Sequence, residues 1–155
     1  MTPIRVIAIP TAIAHAVRTT NKDPRYGYPT HVELARGHGP CRHCLKTFSI
    51  GKEKRTLFTY DPFGGVDEVP LPGPIFIHTE ECDRYPEDIG YPEGLRQYPA
   101  MLAAFGERRR LVAEALVDDG SQPAVIEELF RRPEVEYIHV RDKCAGCYDF
   151  RVERA

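Results

Sequence analysis

The sequence predicts an α+β domain, a mostly antiparallel sheet with one or two packed helices and long proline-rich loops. Three observations carry that prediction. Short runs rich in β-branched and aromatic residues recur along the chain, at residues 4–9, 54–60, 75–78, 135–140 and 148–152. Residues 122–132 combine a helical apolar period with helix start and stop signals. The stretches between are crowded with proline, seven of the fourteen falling between Pro62 and Pro99, which disfavours regular structure there. Order and content together suggest α+β.

The elements follow in order. Ile4, Val6, Ile7 and Ile9 make a first strand, and Pro10 suits the first turn of a helix whose inner face is Ala12, Ile13, Ala16 and Val17. Residues 19–40 read as a long loop with a short helix near 31–36. Residues 41–48 and 54–60 read as a strand pair turning at Ile50-Gly51-Lys52-Glu53, with Thr56, Phe58 and Tyr60 on one face. Residues 62–74 form a loop turning at Gly64-Gly65, before a short apolar strand, Ile75-Phe76-Ile77-His78. For 101–117 the Ala, Leu, Glu and Arg content favours helix, whereas Gly106-Glu107-Arg108 favours a hairpin. In 122–132, Ser121 or Gln122 caps, Pro123 opens and Pro133 ends a helix that buries Val125, Ile126, Leu129 and Phe130. Two closing strands follow. On the first, Tyr137, His139 and Arg141 share a polar face, which residue type favours as solvated over functional. On the second, Asp149, Arg151 and Glu153 are expected outward and Tyr148, Phe150 and Val152 inward.

At 155 residues the chain supports one domain. With 21 Lys plus Arg against 23 Asp plus Glu, it offers no electrostatic footprint for nucleic acid or an anionic membrane. No apolar run approaches the roughly 20 residues of a membrane span. Near the N-terminus, Arg5, Val6-Ile7-Ala8-Ile9 and Ala14-His15-Ala16 imitate a signal peptide, but Pro10 and His15 interrupt it. The expectation is a cytoplasmic protein with reduced thiols, in which the odd number of cysteines, five, argues against a disulfide framework.

The cysteines carry the chemical message. Cys41-Arg42-His43-Cys44 and Cys144-Ala145-Gly146-Cys147 are both Cys-x-x-Cys pairs, a spacing that lets one tight turn aim two sulfurs at a tetrahedral ion such as zinc. Two completions of a four-ligand site compete. In one, Cys144 and Cys147 join Cys41 and Cys44. In the other, His78 and Cys82, spaced i,i+4, join them, with His43 turned away. The plain alternative is free, packed thiols. A third is a reactive thiol: Arg42 and His43 could lower a thiol pKa, and Cys147 could meet His139 as a nucleophile and base. The Tyr and Pro loops could serve instead as a protein-interaction lip, and a homo-oligomer stays open.

Several blocks in order, Gly39-Pro40-Cys41-Arg42, Leu57 to Tyr60, Gly73-Pro74-Ile75-Phe76, Tyr137-Ile138-His139-Val140 and Ala145-Gly146-Cys147-Tyr148, resemble the bacterial family called domain of unknown function 1203. The resemblance runs from about Gly39 to the C-terminus, so residues 1–40 form a looser strand, helix and loop ahead of a family-like core at 41–155. It implies a single-domain α+β protein of the bacterial cytoplasm with no assigned activity, and its pattern falls on Cys41, Arg42, His139, Gly146 and Cys147. It also implies a strand hairpin at 101–117, which we adopt over the propensity reading. The family pattern does not require cysteine at Cys44 or Cys144, which would make a four-cysteine site a property of this branch. That shifts the expected ligands of any metal to Cys41, Cys44, His78 and Cys82, with a chain that holds no metal as the other outcome. The rival enzyme would use Cys41 or Cys147 with Arg42 and His139.

Overall fold

The computed structural model describes residues 3–64, 69–143 and 145–155. It contains two antiparallel sheets and two α-helices, an α+β domain. The large sheet has five strands in the order β1-β8-β7-β5-β6, built from β1 (Ile4–Ile7), β5 (Ala100–Gly106), β6 (Arg110–Val117), β7 (Tyr137–Asp142) and β8 (Tyr148–Arg154). The small sheet has three, β2 (His31–Leu34), β3 (Lys54–Tyr60) and β4 (Gly73–His78), in the order β2-β3-β4. Helix α1 (Thr11–Thr20) follows β1, and α2 (Gln122–Phe130) joins β6 to β7. Among the described residues no helix is long and apolar enough to cross a membrane.

Each sheet has its own apolar layer. One face of the large sheet contributes Leu102, Ala104, Ile138, Val140, Phe150 and Val152, and α2 packs there through Ile126, Leu129 and Phe130. The buried amide of Gln122 ties the tyrosine-rich loop beneath α2, donating to the carbonyls of Arg96 and Tyr98. Tyr85, Tyr91 and Tyr98 of that loop pack against the same core. The small sheet buries Phe58, Ile75 and Ile77 against Ala14 and Val17 of α1, and against Cys41, Cys44 and Tyr148.

The structure corrects five local expectations. The inner face of α1 is rotated: Ala14 and Val17 are buried, Ile13 and Ala16 half-buried, and Ala12 exposed. Residues 31–34 are not helical but form β2, because His31 to Leu34 pair antiparallel with Leu57 to Lys54. Residues 41–48 are not a strand. Backbone bonds from Leu45 N–H to the Cys41 carbonyl (2.8 Å) and from Cys41 N–H to the Lys46 carbonyl (2.9 Å) double the chain back on itself. β3 therefore pairs with β2 and β4 instead. The hairpin adopted for residues 101–117, by contrast, is present as β5–β6, turning at Arg108 and Arg109, whose φ angles are 53° and 58°. Helix propensity loses there because the small Ala103 and Ala104 are needed in a strand that is paired on both sides.

The fourth correction matters most for function. The register of β7 against β8 shifts between Val140 and Arg141, so Val140 faces Phe150 while Arg141 faces Tyr148, and Asp149 is the extra residue. The bulge turns Tyr148 to the side of His139 while Phe150 stays in the opposite core. Tyr148 and Phe150 therefore do not share a face, and Asp149 is buried rather than outward. The Tyr137–His139 face is not solvated either: His139 is 0% exposed, with the rings of Phe63, Phe105, Tyr137 and Tyr148 tilted or edge-on around it at centroid distances of 4.7, 5.3, 5.2 and 4.9 Å.

Candidate metal centre

Residues 40–46 form a knuckle. Its tight turn needs a left-handed residue after the second cysteine, and Leu45 takes that role at φ 59°. Gly39, at φ 101°, leads in; a Cβ there would lie 2.6 Å from the ring of Phe48, so only glycine fits. The knuckle is fastened to both sheets by Arg42, one of the two residues between its cysteines. The Arg42 N–H donates to the Phe76 carbonyl on β4 (3.0 Å). Its guanidinium donates to the carbonyls of Tyr148 (2.9 Å) and Pro40 (2.6 Å) and pairs with Asp149 at 3.1 Å. Both charges of that pair are buried. Burial pushes the Asp149 carboxyl up to about 7, against the pull of Arg42.

The knuckle thereby presents Cys41 and Cys44 to the end of β4 and the loop after it. Ligand atoms of Cys41, Cys44, His78 and Cys82 all lie within 4.8 Å of one another. Cys41 Sγ is 3.9 Å from Cys82 Sγ, and Cys44 Sγ is 3.4 Å from His78 Nδ1. A tetrahedron with metal–sulfur legs of about 2.3 Å and metal–nitrogen legs of about 2.0 Å has edges of about 3.8 Å between sulfurs and about 3.5 Å between sulfur and nitrogen. The donor set therefore fits one tetrahedral ion, and three sulfurs with one imidazole is a known structural zinc set. His78 Nε2 lies 3.4 Å from a Glu53 carboxylate oxygen, which leaves Nδ1 for the metal and orients the ring from behind. The His78 N–H also donates to Cys41 Sγ (3.3 Å).

The protonation balance suits such a site. Burial pushes the Cys41 thiol up, but hydrogen bonds from Cys44, Cys82 and His78 outweigh it and favour the thiolate. Cys44 is pushed up, first by its hydrogen bond to Cys41. His78 is raised to about 10, chiefly by its hydrogen bonds to Cys41 and Cys82. The hydrogen bond to Cys41 raises Cys82, but those from Cys44, His78 and His43 outweigh both it and burial and lower the thiol. A bound cation would take the place of the protons these ligands share and release them.

Two groups outside the four touch Cys82. Arg18 Nη2 donates to its sulfur (3.3 Å) while Arg18 Nε holds the His78 carbonyl (3.0 Å). His43 Nδ1 also lies 3.3 Å from that sulfur, and its Nε2 shares a hydrogen bond with Thr11. His43 is outside the four-atom cluster but braces it. No pattern in the sequence points to Arg18, Glu53 or Asp149: their positions depend on α1, a turn and a bulge meeting in space. The alternation of β-strand residues pointed Asp149 the wrong way.

The remaining candidates lie elsewhere. Cys144 is outside the described residues, and Cys147 is not part of the cluster. Burial raises the Cys147 thiol, and its sulfur sits 4.0 Å from the Ala145 carbonyl. His139 has both ring nitrogens buried with no hydrogen-bond partner among the described residues, and burial lowers its pKa to about 3. Its ring packs against four aromatic rings, and Arg42 is taken up by Asp149 and two carbonyls.

No curated protein and no solved structure matches the chain. A family model described as "Protein of unknown function (DUF1203)" matches residues 38–154, which takes in the knuckle, the other two ligands and the Arg42–Asp149 clamp. The chain belongs to the DUF1203 family.

Proposed function

We propose that this chain is a zinc-binding domain whose single Zn²⁺ is structural, held by Cys41, Cys44, His78 and Cys82. The observation that carries the reading is the coincidence of four ligand atoms within 4.8 Å, with edges of 3.9 and 3.4 Å. Four protein ligands fill a tetrahedral ion, which is the closed coordination of a structural site. Zinc is favoured over oxygen-loving cations by three sulfurs and an imidazole. The ion would join the knuckle, the end of β4 and the loop to Cys82. A thiol enzyme built on Cys41 or Cys147 with Arg42 and His139 has less support: the first cysteine is a ligand, Arg42 is a clamp, and His139 faces aromatic rings.

Metal analysis tests this directly. Protein purified without a histidine tag should carry close to one zinc per chain, and Cys44→Ser should carry far less. Zinc below about a tenth of an ion per chain, in protein that folds normally and after reconstitution has been tried, overturns the reading.

A further inference from the structure

We propose that Cys82 is the reactive ligand of this centre, the point at which a peroxide oxidises the site to a Cys41–Cys82 disulfide and expels the metal. The inference rests on the zinc reading above and adds to it a modification site. The four ligands are not equally placed. Cys41 and Cys44 are buried in the small-sheet core at 0% and 5% exposure, whereas Cys82 is only half-buried and sits on a loop. Two clefts converge on it. One, of about 770 Å³, runs along α1 and is lined by Thr11, His15, Arg18 and His43. The other, of about 560 Å³, is lined by Lys46, Glu53, Tyr85 and Ile89 and also reaches Cys44 and His78. Cys82 is the one sulfur that lines both. A small oxidant arriving from solvent along either therefore meets Cys82.

The surroundings suit the chemistry. The Cys82 thiolate attacks one peroxide oxygen, an S–O bond forms, the O–O bond breaks and hydroxide departs, taking a proton to become water. Arg18, beside the sulfur and in the wall of the α1 cleft, stabilises that leaving hydroxide by its charge. The Cys41 thiolate, 3.9 Å from Cys82 Sγ, then attacks the sulfenic sulfur. The S–S bond forms, the S–O bond breaks, and a second hydroxide leaves as water. The two sulfurs lose two electrons and one hydrogen peroxide becomes two waters. Zinc, left with only Cys44 and His78, dissociates.

The test uses zinc-loaded protein carrying Cys144→Ser and Cys147→Ser, so that the three ligand cysteines are its only thiols. Hydrogen peroxide is added, released zinc is followed with a metallochromic dye, and peptide mapping reads the products. The expected result is zinc release in step with a Cys41–Cys82 disulfide, reversed by dithiothreitol and added zinc. Brief iodoacetamide treatment should mark Cys82 about tenfold faster than Cys41 or Cys44. Arg18→Gln should slow release per bound zinc several-fold. A first adduct on Cys41 or Cys44, a Cys41–Cys44 disulfide, or protein that keeps its zinc under peroxide overturns the proposal while leaving the zinc reading intact. Protein that never binds zinc overturns the zinc reading itself, and this proposal with it.

Discussion

The two sheets are held in different ways. The large sheet is a conventional apolar construction: five strands, an α-helix against one face and, among the described residues, seventeen buried ones in one continuous cluster. The small sheet has three strands, one of them only four residues long, and a smaller cluster that already counts Cys41 and Cys44 among its members. The proposed zinc would tie together the half in which apolar area is scarce, as a metal does in domains too small to build a sufficient core. Arg42 spans the two halves, anchored to β4 by its backbone and to β8 by its side chain. The comparison says that losing the metal should loosen one half, while losing the clamp should part the two.

The largest expected effect is removal of the metal. Structural zinc sites contribute on the order of 10 kcal/mol of binding free energy that is also folding free energy. With a strong chelator, amide exchange should accelerate across β2, β3, β4 and the knuckle and stay slow in β5, β7 and β8. Uniform acceleration would mean the halves are not separable.

Next comes the clamp. Arg42→Ala leaves Asp149 buried without its charge partner, a change that costs about 3–5 kcal/mol in buried pairs. Urea denaturation should show the loss, and Asp149→Asn should recover part of it in the Arg42→Ala background because the orphan charge is then gone. Full additivity of the two substitutions would argue against direct coupling.

A smaller effect is expected at the carboxylate behind His78. Glu53→Gln should weaken metal affinity by about 10–100-fold, measured by competition with a chelating dye, with little change in secondary structure. An unchanged affinity would mean that Glu53 does not orient the ring.

The mildest concerns His139. Its folded-state pKa is lowered to about 3 from an ordinary 6.5, so the unfolded chain takes up a proton there before the folded one does. The stability it leaves in place above pH 6.5 is therefore lost as pH falls towards 3. The slope is at most about 1.4 kcal/mol per pH unit. His139→Phe, compared with the unmodified chain with both zinc-loaded, should be less sensitive to acid between pH 6.5 and 4. Identical acid limbs would show that the ring gains access to water or a partner before the chain unfolds.

Much of the large sheet could be read from local pattern. The apolar runs of β1 and β7, and the proline-bounded helix α2, are repeated signals within short windows. The β5–β6 hairpin had one local signal, Gly106-Glu107-Arg108, but its alanines and leucines favour a helix, and the family resemblance decided between the two. The small sheet was harder to read. Residues 31–34 have no distinctive strand composition and become β2 only because β3 offers an edge. The His139 face looked polar because alternation cannot see that Phe63, from a loop, closes over it.

The sequence by itself determined the class of the protein and the chemistry at its disposal: one α+β domain, two Cys-x-x-Cys pairs, and a His78–Cys82 pair at turn spacing. Those are properties of residue type and short spacing. Only the tertiary structure decided which of them meet. A ligand site is a matter of distance between sulfurs, and here that distance depends on the knuckle at 40–46, the end of β4 and helix α1 converging. The same holds for the clamp, since a one-residue bulge in β8 turned Asp149 inward to Arg42 and sent Tyr148 to the side of His139.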